Sequence, residues 1–341
     1  MRSHQAQVQK RAAKKCEGIQ LLAARADWST FDPDQWLDSF LRCTSPPVQR
    51  GKLYDLRLNI QALTLDAFLQ RRYFLPSGEM VPLFEGSEDQ LCEDVRGNQL
   101  HTRRMATDEM LELQSRPGFG EEDTSIRVVQ GDCLAEALRL QEEEGLHPAV
   151  LNMASAKQAG GGFLSGSGAQ EENMFRRTNL FQHLVDPEGL DPDRSWGYRL
   201  PDGSGVYSPH VCVIRGPESE GYPFLPQPRF VGFVAVPALV RPPLNEAGDD
   251  FQGGGVRAEA RERICTVLRI GALHHHDSLV LSAMGCGAFR NPPKAIAALF
   301  RDVLRREFRG VFKAISFAIF DDHNARGKGN VVPFQEAFAD P

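Results

Sequence analysis

The chain has 341 residues, of which 41% are hydrophobic and 25% are charged, and its formal net charge is −6. These values fit a globular protein with one large domain, or one domain and an extension, and they provide no overall attraction to nucleic acid. No apolar run approaches the roughly 20 residues that span a membrane, and the seven cysteines lack the spacing of a disulfide framework or a zinc site. A reducing compartment, cytoplasmic or nuclear, is therefore expected.

The first part of the chain is predicted to be mainly helical. Spacing of apolar residues indicates four helices and one extended segment: residues 1–26, 28–41, 55–68 and 102–113 as helices, and residues 73–83 as extended chain. The first helix carries the basic residues Lys10, Arg11, Lys14 and Lys15. These favour a solvated helix end over a targeting signal.

From residue 125 onward, short apolar strands alternate with helices. The predicted strands cover residues 126–130, 149–153, 205–215, 230–236, 278–282 and 312–320, and the predicted helices cover residues 134–144, 171–184, 256–274 and 294–308. Alternation of this kind predicts an α/β domain with three layers.

One segment combines many glycines with two adjacent acids. Three consecutive glycines are followed, after seven intervening residues, by a Gln-Glu-Glu sequence at a predicted helix start: Gly160, Gly161, Gly162, Gln170, Glu171 and Glu172. Backbone amides of such a loop can bind an anion, whereas carboxylates repel phosphate. The segment is either a ligand site, with phosphates near the glycines and a sugar near the acids, or a surface loop before an acidic helix start.

Other loops at predicted strand ends also carry glycines or polar residues. Asp132 follows the strand at residues 126–130, and Asn152 lies at the end of the next strand. A glycine-rich loop follows a later strand: Gly285, Cys286, Gly287, Ala288 and Phe289. Its glycines would let the backbone approach a diphosphate or would form a tight turn, and a backbone role is favoured for Cys286 over a nucleophile. All these loops are expected at one edge of the sheet.

The order and spacing of these motifs resemble those of microbial-type poly(ADP-ribose) glycohydrolases. The resemblance comprises the glycine run with its Gln-Glu-Glu sequence, residues 152–157, residues 285–289 and the helical part at residues 57–83. It implies the macrodomain fold, an α/β/α sandwich with a mixed central sheet, preceded by a helical N-terminal extension. The implied regions are an extension of unknown role, a helical accessory region and an ADP-ribose-binding catalytic domain: residues 1–56, 57–124 and 125–341.

The resemblance implies an ADP-ribose site built from several loops. Asp132 would accept a hydrogen bond from the adenine amino group, and it would also serve as a helix N-cap. Phe320 would pack on the adenine, unless it is a simple core residue. Asn152 would lie near the distal ribose. The glycines at residues 160–162 and the loop at residues 285–289 would surround the diphosphate.

The resemblance also implies the chemistry. Adjacent residues at a helix start point about 100° apart, so the two acids have different tasks: Glu172 would be the catalytic acid, and Glu171 would hold ribose hydroxyls. Gln170 belongs to the substrate-binding set, and Phe289 would orient the ribose next to the scissile bond. Ribose–ribose O-glycosidic bonds would break through an oxocarbenium-like state, with one carboxyl as acid and then base, to release ADP-ribose. No cofactor and no metal are expected.

The expected partners are poly(ADP-ribose) and ADP-ribosylated proteins, which implies de-ADP-ribosylation in the DNA damage response. A monomer without membrane binding or sequence-specific nucleic-acid binding is expected. Two other functions stay open, a non-catalytic ADP-ribose reader and a mono-ADP-ribosyl hydrolase, although a reader has no need of the Gln-Glu-Glu sequence. Arg176 and Arg177 either meet the phosphates of the polymer or form a solvated face.

Overall fold

The computed structural model of the chain describes residues 2–84, 98–101, 123–192, 194, 196–321, 325 and 329–339. The chain forms two units, each assembled from separate stretches of sequence. The first unit consists of Met1–Gly97, Ser155–Arg199 and Ser208–Phe230, and the second consists of Asn98–Ala154, Leu200–Tyr207 and Val231–Pro341. The division into residues 1–56, 57–124 and 125–341 stays a prediction, and the helix predicted at residues 102–113 lies outside the described residues.

The N-terminal part of the first unit is helical, as predicted. Its helices and the hairpin after them are α1 (Arg2–Ala23), α2 (Pro33–Thr44), α3 (Arg50–Leu69), β1 (Arg72–Phe74) and β2 (Met80–Pro82). The second helix starts five residues later than predicted because Asp32 is its N-cap, with the side chain accepting from the Gln35 amide at 2.8 Å. A small core of Trp36, Ile60 and Tyr222 stabilises this unit.

The helix predicted at residues 171–184 is two short helices, α5 (Gln170–Phe175) and α6 (Leu180–Leu184). The helix ends because the connecting residues pair with the neighbouring strand instead. The Ile214 amide donates to the Arg177 carbonyl at 2.9 Å, and the Asn179 amide donates to the Cys212 carbonyl at 3.2 Å. Tertiary pairing therefore overrides the local helical pattern.

The second unit contains most of a seven-stranded sheet in the order β3-β6-β7-β5-β8-β9-β4. Its strands are β3 (Asn98–His101), β4 (Ser125–Gln130), β5 (Pro148–Met153), β6 (Ser204–Arg215), β7 (Phe224–Val236), β8 (Ser278–Leu281) and β9 (Ala314–Ile319). Strands β7, β5, β8, β9 and β4 are mutually parallel, whereas β3 runs antiparallel to β6. The prediction of a mixed sheet is confirmed.

Helices cover both faces of this sheet. They are α4 (Cys133–Glu144), α7 (Gly254–Leu273), α8 (Pro293–Arg306) and α9 (Val331–Phe338). Along β9, Phe317 and Ile319 join the apolar core with α7 and α8, while Ser316, the residue before Phe317, donates to Glu136 of α4 at 2.6 Å. Since successive side chains of a strand point to opposite faces, α4 lies opposite α7 and α8. The predicted three-layer fold is confirmed, and helix α9 is an element that was not predicted from the sequence.

Among the described residues, none of the helices combines the length and the apolar character needed to cross a membrane.

Replacement of Thr64 by Val tests the polar core of the first unit. The buried Thr64 hydroxyl donates to the Arg176 carbonyl at 2.6 Å and accepts from Arg215 Nε at 3.0 Å. Thr64→Val leaves both groups buried without this partner, so the free energy of unfolding should fall by about 1–3 kcal/mol. The control is Thr44→Val, whose exposed hydroxyl also donates to a carbonyl and should change stability by less than about 0.5 kcal/mol. Equal effects in urea unfolding would contradict the assignment.

Candidate active site

Residues 155–172 of the first unit, here called the glycine–glutamate segment, fold into a compact loop before α5. Gly160 and Gly161 have φ of 69° and 50°, in the left-handed region. Any side chain at Gly160 would collide with the rings of Phe163 and Phe175. A short 3-10 turn, Phe163–Ser165, follows. Glycine is thus required by both backbone conformation and close packing.

Glu171 is buried inside this segment, and both of its carboxyl oxygens are bound by backbone amides. Oε1 accepts from the Gly160 amide and Oε2 from the Ser155 amide, each at 2.8 Å. Burial raises the pKa of Glu171 to about 8, and the neighbouring Glu172 adds to the rise, although the two amides act in the opposite direction. The side chain therefore closes the loop between residues 155 and 160.

Glu172 is buried too, but only half of its carboxyl group is bound. Oε1 accepts from the Gly162 amide at 2.8 Å, and the buried Oε2 has no hydrogen-bond partner. The two acids thus differ in their hydrogen-bonding environment. The glycine–glutamate segment brings together the glycines at residues 160–162 and both glutamates. Gln170, half-buried, is the first residue of α5.

Two residues that contact the segment carry no sequence motif. The Lys15 ammonium donates to the Ala159 carbonyl and lies 5.1 Å from the centre of the Phe163 ring. The Tyr198 hydroxyl donates to the Ser155 carbonyl at 2.8 Å. Lys15 is half-buried, so the prediction of a solvated helix end does not hold for it, whereas Lys14 is exposed. The sequence signal for the position of Lys15 was helical spacing, because Lys15 precedes the buried Ile19 by four residues and so lies on the same face of the helix.

Arg176 and Arg177 follow α5 and are buried, so the solvated-face interpretation is wrong. Arg176 donates through Nε to the Tyr222 hydroxyl at 2.8 Å and through Nη1 to the Ser167 carbonyl at 2.7 Å. Arg177 Nε donates to the Arg215 carbonyl at 3.2 Å. Both arginines tie the end of α5 to the body of the first unit. Their contact with phosphates stays a hypothesis.

In the second unit, Asp132 and Phe320 follow the paired strands β4 and β9. The Gly131 amide donates to the Ile319 carbonyl at 3.1 Å, which brings the two strand ends together. Asp132 is the N-cap of α4, accepting from the Ala135 amide at 2.9 Å. Phe320 is 68% exposed, so its interpretation as a core residue is wrong. An aromatic face next to an acid is available at this edge.

Asn152, at the carboxyl end of β5, is fully buried, yet neither its Oδ1 nor its Nδ2 has a hydrogen-bond partner. A buried amide without partners costs free energy of about 1–3 kcal/mol. Residues kept at such a cost are candidates for binding a ligand. Strand β5 lies beside the parallel β8, so Asn152 and the loop after β8 are at the same edge of the sheet.

The loop from Gly285 to Phe289 is a tight turn held by Asn291. Gly285 has a φ of 74°, and a side chain there would meet Asn291 and Ala238. Asn291 donates through Nδ2 to the carbonyls of Leu239 at 2.7 Å and Gly285 at 3.1 Å. Gly287 and Phe289 are half-buried and Ala288 is exposed. The loop therefore presents backbone at its tip, ahead of α8.

Cys286 of this loop is not set up as a nucleophile. Its thiol is buried, and burial raises its pKa far above the usual value. Because the thiolate is the nucleophilic form, the favoured backbone role agrees with its environment.

Comparison with known proteins identifies the family. A family model of the microbial-type PARG catalytic domain matches residues 62–216. The crystal structure of poly(ADP-ribose) glycohydrolase (PARG) from Thermomonospora curvata is 30% identical, with a TM-score of 0.66, over 83% of this chain and 99% of that chain. The chain belongs to the microbial-type poly(ADP-ribose) glycohydrolase family. This confirms the family inferred from the motifs.

Two further glycohydrolase structures are similar. The Thermomonospora curvata enzyme bound to the inhibitor ADP-HPD is 30% identical, with a TM-score of 0.64, over 83% of this chain and 99% of that one. The Deinococcus radiodurans enzyme in complex with ADP-ribose is 29% identical, with a TM-score of 0.58, over 73% of this chain and 97% of that one. None of the curated proteins matches the chain.

Replacement of Glu171 by Gln should change how stability depends on pH. Between about pH 4.5 and 8 the unfolded chain has released this proton while the folded chain retains it, so the free energy of unfolding of the wild type falls with rising pH. Glu171→Gln lacks this fall. The Tm of the variant minus that of the wild type should therefore increase by several degrees from pH 5 to pH 8.

The control for this experiment is Glu79→Gln, an exposed acid of the same unit. Its Tm difference from the wild type should stay constant over the same pH range. A constant difference for Glu171→Gln as well would contradict the raised pKa.

Proposed function

We propose that this glycohydrolase hydrolyses the ribose–ribose O-glycosidic bonds of poly(ADP-ribose) and releases ADP-ribose, with Glu172 as the catalytic residue. The observation that carries the proposal is the half-bound carboxyl group of Glu172, whose Oε1 is held by the Gly162 amide while Oε2 is buried without a partner. Family membership supports the substrate class, since solved relatives bind ADP-ribose or the inhibitor ADP-HPD.

The bound Oε1 fixes the Glu172 side chain, so Oε2 is the oxygen that carries the proton. In the first step the carboxylic acid donates this proton to the leaving ribose oxygen, and the bond breaks through an oxocarbenium-like state. In the second step the carboxylate accepts a proton from the attacking water, which restores the acid. Because one group performs both steps, no second catalytic carboxyl group is required.

Glu171 supports the reaction as a buried, largely neutral group. With a pKa near 8 it is mostly protonated at pH 7, and a carboxylic acid both donates and accepts hydrogen bonds. Ribose hydroxyls have the same property, so Glu171 is suited to hold them. Its amide contacts also shape the glycines at residues 160–162 for the approach of a diphosphate.

Residues at the strand ends of the second unit are proposed to bind groups of ADP-ribose. Asp132 accepts from the adenine amino group and Phe320 packs on the adenine ring, which its exposure allows. Asn152 uses its unpartnered amide for a ribose hydroxyl. The backbone of residues 285–289 contacts the diphosphate, and Phe289 orients the ribose beside the scissile bond.

The wider setting follows from this activity. ADP-ribosylated proteins carry the polymer, and its removal would serve the DNA damage response. The thiols of Cys16, Cys43, Cys265 and Cys286 are free, which supports a reducing compartment, either cytoplasm or nucleus. We propose that the protein acts as a monomer and reads no nucleic-acid sequence. A non-catalytic reader and a mono-ADP-ribosyl hydrolase are outcomes of the tests below.

The replacement Glu172→Gln tests the catalytic assignment. Without the proton donor, kcat on purified poly(ADP-ribose) should fall by about 10²–10⁴-fold, measured as free ADP-ribose by chromatography. Binding of ADP-ribose, measured by calorimetry, should be retained because Gln keeps an oxygen for the Gly162 amide.

Glu79→Gln serves as the control for this variant and should match the wild type. An active Glu172→Gln would exclude Glu172 as the acid. A wild type that binds without turnover would identify a reader, and a wild type that releases only single ADP-ribose units from protein would identify a mono-ADP-ribosyl hydrolase.

Two glycine replacements separate catalytic geometry from backbone strain. Gly161 and Gly189 both have left-handed φ, 50° and 69°, so Ala costs about 1–2 kcal/mol of stability at either position. Only at Gly161 does the new methyl group meet a side chain, the carboxyl of Glu172. Gly161→Ala should therefore lose about tenfold or more in kcat, while Gly189→Ala keeps it. Equal losses of kcat would show that strain alone matters.

A further inference from the structure

We propose that Lys15 of α1 is a positioning residue of the active site, which acts through the Ala159–Gly160 peptide group to orient Glu171 and the glycine–glutamate segment. The inference rests on the proposed function, because its main readout is turnover of poly(ADP-ribose). Lys15 lies outside the segment matched by the family model, which starts at residue 62.

The proposal is based on two hydrogen bonds that are made by the same peptide group. The Lys15 ammonium donates to the Ala159 carbonyl. The amide of the same peptide group, that of Gly160, donates to Glu171 Oε1 at 2.8 Å. A peptide group that accepts from a cation at one end and donates to a carboxyl group at the other is polarised by both, so each hydrogen bond strengthens the other.

Helix α1 is seated against the segment by apolar contacts, which gives Lys15 a defined position. Ile19 and Leu22, four and seven residues after Lys15, are buried. Gly18, the residue before Ile19, lies so close to the 3-10 turn that an added Cβ would be 3.1 Å from Leu164. Glycine permits this close approach of helix and turn. The ammonium of Lys15 is thereby aimed at the Ala159 carbonyl.

Burial disfavours the charged form of Lys15 and lowers its pKa to about 8, although Glu171 and Glu172 counteract this. A lysine that is kept in an unfavourable environment is expected to have a specific role there. Its neighbour Lys14 is exposed on the same helix and has no such cost. The lysine is held by the Ala159 carbonyl, by the face of the Phe163 ring and by the two acids.

The charged and titratable groups around Lys15 define the expected pH effect. Glu171 and Glu172 face it electrostatically, and the Tyr198 hydroxyl lies near Glu171. The charges that act on the adjacent Cys16 are instead those of Asp186 and Arg194. The positive charge of Lys15 lowers the pKa of Glu171, against the effect of burial. Removing this charge should raise the pKa of Glu171 further.

The experiment compares Lys15→Met, Lys15→Arg and the control Lys14→Met in the full chain. We expect Lys15→Met to lower kcat on poly(ADP-ribose) about 10–100-fold, with KM changed less than about threefold. The pH–kcat profile should move to higher pH by about half a unit to one unit. Lys15→Arg keeps a charged donor and should recover most of kcat, and Lys14→Met should match the wild type.

Three results would overturn the proposal. They are an unchanged kcat and pH profile in Lys15→Met, an equal loss of kcat in Lys14→Met, and a Lys15→Arg variant as impaired as Lys15→Met. Binding of ADP-ribose and the Tm of each variant are measured in parallel, since a folded variant that binds ADP-ribose but turns over slowly supports the positioning role.

A readout without turnover separates this proposal from the proposed function. If the wild type shows no hydrolysis, the proposed function fails, and Lys15 is tested by stability instead. The decrease in Tm caused by Lys15→Met should be smaller in a Glu171→Gln background, because the Gly160 amide no longer links the ammonium to a carboxyl group that can ionise. Equal decreases in both backgrounds would overturn the positioning role.

Discussion

The burial of two adjacent carboxyl groups, those of Glu171 and Glu172, is the constraint on which the candidate active site depends. Taking a carboxyl group out of water is costly unless hydrogen bonds replace the lost solvent. Three backbone amides supply them here, those of Ser155, Gly160 and Gly162. The chain adopts left-handed conformations at Gly160 and Gly161, which glycine permits, where two of these amides turn toward the carboxyl groups. The glycines and the acids are therefore one structural unit.

The same constraint explains why the two acids are unequal. Both carboxyl oxygens of Glu171 accept hydrogen bonds from amides of the loop, and burial raises the pKa of Glu171 to about 8. Only one carboxyl oxygen of Glu172 accepts such a hydrogen bond, and the other has no partner. A group with both oxygens bound is suited to holding a loop and a substrate. A group with one oxygen bound and one available is oriented and still able to transfer a proton. The backbone partners thus give the two adjacent glutamates different environments, which fits the different roles proposed for them.

Much of this arrangement could be predicted from the sequence, because strand–helix alternation and loop motifs are local signals. Such local signals predicted the strands β4, β5, β8 and β9 and the glycine–glutamate segment. Predictions were wrong where tertiary contacts decide: strand pairing breaks the helix after α5, and Arg176 is buried against Tyr222 rather than solvated. Lys15 has no motif at all, since its partner is a backbone carbonyl 144 residues away.

The position of the segment in the chain explains what the N-terminal helices contribute. Residues 155–199 leave the sheet after β5 and return at β6, and they belong to the first unit together with α1, α2 and α3. Their contacts go to these helices: a side chain at Gly166 would collide with the Tyr54 backbone, and one at Gly168 with the Arg57 guanidinium. Thr64 holds the Arg176 carbonyl. A macrodomain sheet alone supplies none of these partners. The helical part of the first unit therefore provides the contacts that hold the loop with its two buried acids, which fits the catalytic role proposed for that loop.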